Sequence, residues 1–162
     1  MTLTLTATEK ACVQAILRGY ADDPNAMAMR EFVQHGCVST YEHCMRVAYT
    51  SFWLNRRLNL HADECSLVRG AFLHDFYLYD WHKARHITHW HGFKHPLIAR
   101  INADVIFRLN DTERDIIQSH MWPLTIQLIP STREAAIVCV ADKLCSAQET
   151  LWERRAKRNA VR

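Results

Sequence analysis

Apolar residues recur at three- and four-residue intervals along nearly all of the 162-residue chain, and this periodicity is typical of amphipathic helices. The chain contains only four glycines and four prolines, so few positions interrupt a helix. No stretch shows the sustained alternation of apolar and polar residues that a strand needs. Linkers and internal repeats are absent. We therefore predict an all-α fold, a single-domain bundle of six to seven helices that spans residues 1–162.

Helix caps and apolar spacing predict the boundaries of these helices. Two capping boxes support them, one formed by Ser39 with Glu42 and one by Ser131 with Glu134. Residues 80–94 carry aromatic residues and histidines without periodicity and are predicted to form a loop. The predicted helices run from Thr8 to about Gly19, from Asp23 to near Gly36, from Ser39 to about Leu58, from Asp63 to about Leu78, from Pro96 through Ile106, from Thr112 to His120 with an extended connection between Pro123 and Pro130, and from Arg133 into the tail.

Six ionisable residues occupy positions that helical spacing assigns to the interior. Asp75, for example, lies seven, four and three residues after Val68, Ala71 and Phe72. A single inward histidine is most often a satisfied core residue. Burying two carboxylates and four imidazoles together, however, would cost several kcal/mol per ionised carboxylate without a compensating charge. Imidazole with carboxylate is the ligand set of Fe, Mn, Zn or Ni, so the pattern predicts a shared metal centre. The six residues are His43, His74, Asp75, His95, His120 and Asp142.

Motifs of other common catalytic sites are missing. The chain has no H-E-x-x-H, no P-loop and no G-x-G-x-x-G, and its serines lack a G-x-S-x-G context. Cys44 follows His43 directly, but adjacent helical positions point about 100° apart, so a Cys–His nucleophile pair is not expected.

The cysteines and the charge distribution indicate the cellular compartment and the kinds of partner to expect. The six cysteines form no C-x-x-C pair, which favours free thiols in a reduced compartment. No signal peptide and no long apolar run are present, so we expect a cytoplasmic protein without membrane contact.

The last eleven residues hold five basic residues and one acid, which leaves 15 basic and 16 acidic residues elsewhere. Nucleic-acid binding is therefore not expected. We interpret the basic tail, residues 152–162, as a solvated helix end, with an anionic partner as the alternative.

The order His43, His74-Asp75, His120 and Asp142 resembles that of the HD domain superfamily of metal-dependent phosphohydrolases. The local sequences also fit: YEHCMRVA, AFLHD, KHPLIAR, IIQSH and VADKL. The resemblance covers about residues 39–150 and suggests a small stand-alone bacterial HD-domain protein. It implies an HD-type helical bundle in which His43, His74, Asp75 and Asp142 bind one metal ion.

The resemblance also implies how a second divalent ion binds. In members with two metals, the aspartate of the His-Asp doublet bridges both ions, and further histidines hold the second ion. His95 and His120 match these positions. Many dinuclear members have two adjacent histidines where this chain has only His120, between Ser119 and Met121. Water or His91 would complete the second site. The lysine that often follows the doublet by three residues is also absent.

The activity implied by the resemblance is hydrolysis of a small phosphate ester, a nucleotide or a sugar phosphate. A metal-bound hydroxide would attack phosphorus in line. The expected catalytic residues are Asp75 and His120, with Arg46, Lys94 and Lys143 as candidate phosphate binders. Two alternatives stay open: a diiron oxygenase of the same superfamily, and a non-catalytic, metal-stabilised binding or regulatory module. A homo-oligomer is compatible with each of these functions.

Overall fold

The computed structural model describes residues 4–35, 38–80 and 91–160. Within these residues, seven α-helices are joined by one 3-10 helix and one short antiparallel hairpin. The all-α prediction is therefore confirmed. The elements are α1 (Ala7–Ile16), α2 (Pro24–Ala28), the 3-10 helix (Met29–Glu31), β1 (Val33–His35), β2 (Val38–Ser39), α3 (Thr40–Arg57), α4 (Glu64–Leu73), α5 (His91–Phe107), α6 (Asp111–Ser119) and α7 (Arg133–Ala160).

The start of α3 is the capping box that the sequence predicts. The Ser39 hydroxyl accepts from the Glu42 backbone N–H at 3.2 Å, and the Glu42 carboxylate accepts from the Ser39 backbone N–H at 3.0 Å. Each bond satisfies an N–H group that has no partner within the helix. Asp63 caps α4, also as predicted, by accepting from the backbone N–H of Ser66 at 2.8 Å.

The predicted capping box of Ser131 and Glu134 does not form. The hydroxyl of Thr132 accepts from the Ala135 N–H at 3.2 Å instead. The Glu134 carboxylate accepts from the backbone N–H of Asp63, at the start of α4, at 2.7 Å. Glu134 therefore bonds to a residue 71 positions away in the chain instead of forming the capping box with Ser131. The helix α7 still begins at the predicted Arg133.

The helix predicted from Asp23 to Gly36 is wrong beyond Ala28. Asp23 caps α2, but the chain then turns through the 3-10 helix into the hairpin. Gly36 itself lies outside the described residues. The expectation that strands are absent is also wrong here. Strands of three and two residues are shorter than the roughly four to eight residues over which alternation is a usable signal.

Other boundaries differ from the prediction by several residues. α5 begins at His91, so Pro96 lies inside the helix rather than at its first position. At this position the proline removes the hydrogen bond that its backbone nitrogen would otherwise donate to the carbonyl oxygen four residues earlier. α4 ends at Leu73, five residues before the predicted Leu78. The loop predicted for residues 80–94 is wrong at residues 91–94, which lie in α5, and residues 81–90 lie outside the described part of the chain.

α1 and α6 are each capped two residues earlier than predicted, and the chain after α6 also differs. Thr6 and Asn110 form capping boxes with Glu9 and Glu113. α1 ends at Ile16, before the predicted end. The segment between the two prolines after α6 consists mostly of turns rather than an extended connection.

The core lies where α3 packs against α4 and α7, and where α6 packs against α4, α5 and α7. α4 and α6 approach each other closely at Gly70 of α4. A Cβ atom there would lie 2.5 Å from Cδ1 and 3.0 Å from Cβ of Ile116 on α6. The absence of a side chain therefore lets the C-terminal ends of α4 and α6 meet. Among the described helices, none is both long and apolar enough to cross a membrane.

Candidate metal centre

Five helices each bring part of one buried polar cluster to the centre of the bundle. His43 lies in α3, His95 in α5 and Asp142 in α7. The other members follow the last residue of α4 or α6. All are buried, with at most 8% of any residue exposed. The six members are those that helical spacing assigns to the interior: His43, His74, Asp75, His95, His120 and Asp142.

One end of the cluster is formed by His43, His74 and Asp142, whose potential ligand atoms all lie within 4.8 Å of one another. Nε2 of His43 lies 3.2 Å from Oδ1 of Asp142. Nε2 of His74 lies 3.9 Å from the same oxygen. Two imidazoles and one carboxylate thus point at a common position.

The other end is formed by Asp75, His95 and His120. Oδ1 of Asp75 lies 3.1 Å from Nε2 of His95 and 3.5 Å from Nε2 of His120. The two Nε2 atoms are 2.9 Å apart. On its other side, Oδ2 of Asp75 lies 3.4 Å from Nε2 of His74. The Asp75 carboxylate therefore lies between the two ends of the cluster.

The cluster fits a divalent metal in two respects. First, Nε2 of His74 and Oδ1 of Asp75 are buried and make no hydrogen bond to the described residues. Buried polar atoms are normally satisfied, so such atoms call for an explanation. Second, metal–nitrogen bonds of about 2.0–2.1 Å place neighbouring ligand atoms about 3 Å apart when they meet at a right angle. The 2.9 Å and 3.1 Å separations match that spacing.

Backbone carbonyls orient two of the histidines. Nδ1 of His74 lies 2.8 Å from the carbonyl oxygen of Ala71, and Nδ1 of His120 lies 2.8 Å from that of Ile117. A carbonyl oxygen only accepts, so each Nδ1 carries the proton. Nε2 is then the nitrogen directed at the cluster, as in metal sites whose ligands are held by outer contacts.

The electrostatics of the cluster favour charged carboxylates. Burial by itself would raise the pKa of Asp75, but the neighbouring imidazoles of His74 and His95 hold that pKa well below its usual range. Burial also opposes ionisation of Asp142, whereas the His43 ring, whose Nε2 lies 3.2 Å from Oδ1, lowers the pKa of this carboxyl. Burial lowers the pKa of His120 to about 3, and the neighbouring imidazoles of His74 and His95 act in the same direction. His120 is therefore neutral and able to bind a metal ion.

The second end of the cluster opens into a cavity of about 640 Å³. Lys143 lies in its wall, where its ammonium donates to the carbonyl oxygens of His120 at 2.9 Å and Cys139 at 3.2 Å. The cavity thus combines a polar floor with a positive charge and an apolar side. Its described lining is Gln34, Asp75, Gly92, His95, His120, Met121, Pro123, Leu124, Asp142, Lys143 and Ser146.

The other sequence candidates lie elsewhere. Arg46 is not among the described residues that line this cavity, and its role as a phosphate binder stays a prediction. Its guanidinium donates to the buried carboxylate of Glu149 at 2.8 Å and lies 5.0 Å from the ring centre of Trp152, beside a separate cavity. Lys94 is exposed on α5. The side chain of His91 lies outside the described part of the structure.

Two residues that contact the cluster were not predicted from the sequence. Glu149 is 2% exposed and lies 3.0 Å from Nδ1 of His43 through Oε2. It comes seven residues after Asp142, which is two helical turns along the same face, so spacing was a usable signal. Gln34 of the hairpin donates its amide N–H to Oδ2 of Asp75. No periodicity marks a residue in so short a strand.

Comparison with known proteins agrees with this arrangement. Neither the comparison with curated proteins nor that with solved structures finds a match. A family model described as HD domain matches residues 40–147, which is more than half of the chain. The matched region begins with α3 and includes all six members of the buried cluster. The chain therefore belongs to the HD domain family.

Proposed function

We propose that the chain is a metal-dependent phosphohydrolase that hydrolyses a small phosphate ester, a nucleotide or a sugar phosphate, with water as the nucleophile. The observation that carries the proposal is a buried cluster of four imidazoles and two carboxylates at the floor of a cavity with a lysine in its wall. Membership of the HD domain family supports metal binding and hydrolysis at the level of the superfamily.

In this proposal the chain holds one or two divalent ions from Fe, Mn, Ni or Zn. His43, His74 and Asp142 are the ligands at one end, and His95 and His120 are those at the other. Asp75 is shared between them. A divalent ion in such a site supplies a water of lowered pKa and neutralises charge on the phosphoryl oxygens.

The remaining residues bind and orient the ester. The Lys143 ammonium is held by two carbonyl oxygens and by Sγ of Cys139, so its positive charge stays at the cavity wall, where it attracts a phosphoryl group. Met121, Pro123 and Leu124 form an apolar side of the cavity that packs against the leaving group. A volume of about 640 Å³ lies within the usual range for small-molecule sites.

The first test is metal-dependent turnover. The protein is stripped with chelator, reloaded separately with Mn²⁺, Fe²⁺, Ni²⁺ or Zn²⁺, and assayed on a nucleoside monophosphate, a sugar phosphate and a phosphodiester. We expect phosphate ester hydrolysis only after reloading. Turnover by the stripped protein would contradict the proposal, as would inactivity on all three esters with each metal. Substrate-dependent oxygen uptake by the iron-loaded protein without hydrolysis would favour the oxygenase instead.

The second test separates the two candidate lysines. Lys143→Met should raise KM for the active ester about tenfold, a loss of about 1.4 kcal/mol, because it removes the positive charge that attracts the phosphoryl group. Lys94→Met removes an exposed lysine from α5 and serves as the matched control, with KM unchanged. Equal effects of the two substitutions would count against binding of the ester in this cavity.

A further inference from the structure

His43 differs from His74 and His120 in what holds its outer nitrogen. His74 and His120 each place Nδ1 2.8 Å from a backbone carbonyl three residues earlier. His43 instead places Nδ1 3.0 Å from Oε2 of Glu149, a side chain 106 residues away in the chain. Its Nε2 lies 3.2 Å from Asp142, on the side that faces the cluster. Glu149 therefore contacts the outer nitrogen of one candidate ligand, whereas Nε2 of that ligand faces Asp142.

Glu149 is held in this position by a second contact. Its side chain is fully buried, and its Oε1 accepts from Nη1 of Arg46 at 2.8 Å. Arg46 lies three residues after His43 on α3, so one helix supplies both partners of the carboxylate. A buried carboxylate without such partners would be costly, whereas here one oxygen faces the imidazole and the other faces the guanidinium.

We propose that Glu149 is a positioning residue that keeps the proton of His43 on Nδ1, so that Nε2 is free to bind the metal ion, and that Arg46 holds Glu149 in place. A carboxylate that accepts from the outer nitrogen of a metal-bound histidine fixes its tautomer and increases its basicity. The inference rests on the metal centre of the proposed function and not on the ester, because its tests measure the bound ion rather than turnover.

The first experiment measures affinity for Zn²⁺ alone by competition with a chromophoric chelator. Glu149→Gln keeps the size of the side chain and removes its charge, and we expect it to weaken Zn²⁺ binding about 10- to 100-fold. Glu64→Gln is the matched control, because Glu64 also pairs with an arginine, Arg56, but has no contact with the cluster. Its Zn²⁺ affinity should equal that of the wild type. A folded Glu149→Gln protein with wild-type affinity would overturn the proposal.

The second experiment uses the wild-type protein, so it does not depend on a variant that folds. Nitrogen-15 NMR of the Zn²⁺-loaded protein reports which nitrogen of His43 carries the proton. We expect Nδ1 to carry a proton whose signal is shifted downfield by its hydrogen bond to the carboxylate. We expect Nε2 to be bound to the metal ion. A His43 that binds Zn²⁺ through Nδ1, or that lacks a proton there, would overturn the proposal. In Glu149→Gln, the Nδ1–H signal should lose its downfield shift, which a loss of general stability would not cause.

Discussion

Each histidine of the cluster presents the same ring nitrogen to the centre. Nε2 of His43, His74, His95 and His120 all lie within 3.5 Å of a cluster carboxylate. For three of these rings, an outer partner accepts from Nδ1, and so the orientation is set before any ion binds. For a single histidine, metal binding depends on which ring nitrogen faces the cluster. The amino-acid type alone does not specify that nitrogen.

Asp75 is the residue on which both ends of the cluster depend. Asp75→Asn preserves the shape of the side chain but replaces the carboxylate between the two ends with a neutral amide. We expect the metal bound per chain to fall at least tenfold, because the imidazoles lose the negative charge that they share. Elemental analysis of the purified protein measures this ratio. Asp111→Asn, at a fully exposed aspartate paired only with Arg114, is the control. Full metal content in Asp75→Asn would contradict the assignment.

Among the helices, short local signals located most starts but assigned some caps wrongly. The box of Ser39 with Glu42 forms because both partners lie within one turn of the chain. The similar box of Ser131 with Glu134 does not form, because the start of α4 takes the Glu134 carboxylate. Local sequence predicts the capping hydrogen bonds of an isolated helix. In the folded protein, a capping side chain can instead form a hydrogen bond with another helix that packs against it.

This difference gives a matched pair of substitutions. Ser39→Ala removes the hydroxyl that caps α3, and it should lower the free energy of unfolding by about 1 kcal/mol. Ser131→Ala removes a hydroxyl for which the described structure has no capping role, so we expect a change within about 0.5 kcal/mol. Urea denaturation of the two variants and the wild type measures both values. Equal losses would mean that Ser131 caps α7 in solution.

Across the whole molecule, an ion pair joins the first helix to the end of α3. The guanidinium of Arg57 donates to both carboxylate oxygens of Glu9, at 2.8 Å and 3.1 Å. This contact lowers the pKa of Glu9 from its usual 4.5 to about 2, with help from the backbone N–H of Thr6. The pair therefore couples the fold to pH at a site remote from the metal centre.

The pH dependence has a definite sign. Because the pKa of Glu9 is lower in the folded protein, the unfolded chain binds this proton first as pH falls. The stability that the carboxylate provides is complete above pH 4.5 and is lost as pH falls towards 2. We expect Glu9→Gln to be less stable than the wild type at pH 6, with the gap closing by pH 2. Arg57→Met should behave similarly. Denaturation at a series of pH values tests this, and a gap independent of pH would contradict it.

The sequence by itself determined the all-α class, the inward faces of the helices and the six polar residues on those faces. These properties follow from a period of 3.6 residues, which relates residues only a few positions apart. Cap residues located the starts of α2, α3 and α4 for the same reason. The His-Asp doublet, its flanking histidine and its distal aspartate are likewise visible without a structure.

Only the tertiary structure decided which side chains meet. The contact of Glu149 with His43 spans 106 residues, and that of Gln34 with Asp75 spans 41. Arg46 is one turn from His43, yet it points to Glu149 rather than into the cavity. Helical spacing specifies the face on which a residue lies, but the neighbour that it contacts depends on how the helices cross. That crossing is set by packing of the whole core, as where Gly70 lets α4 approach α6.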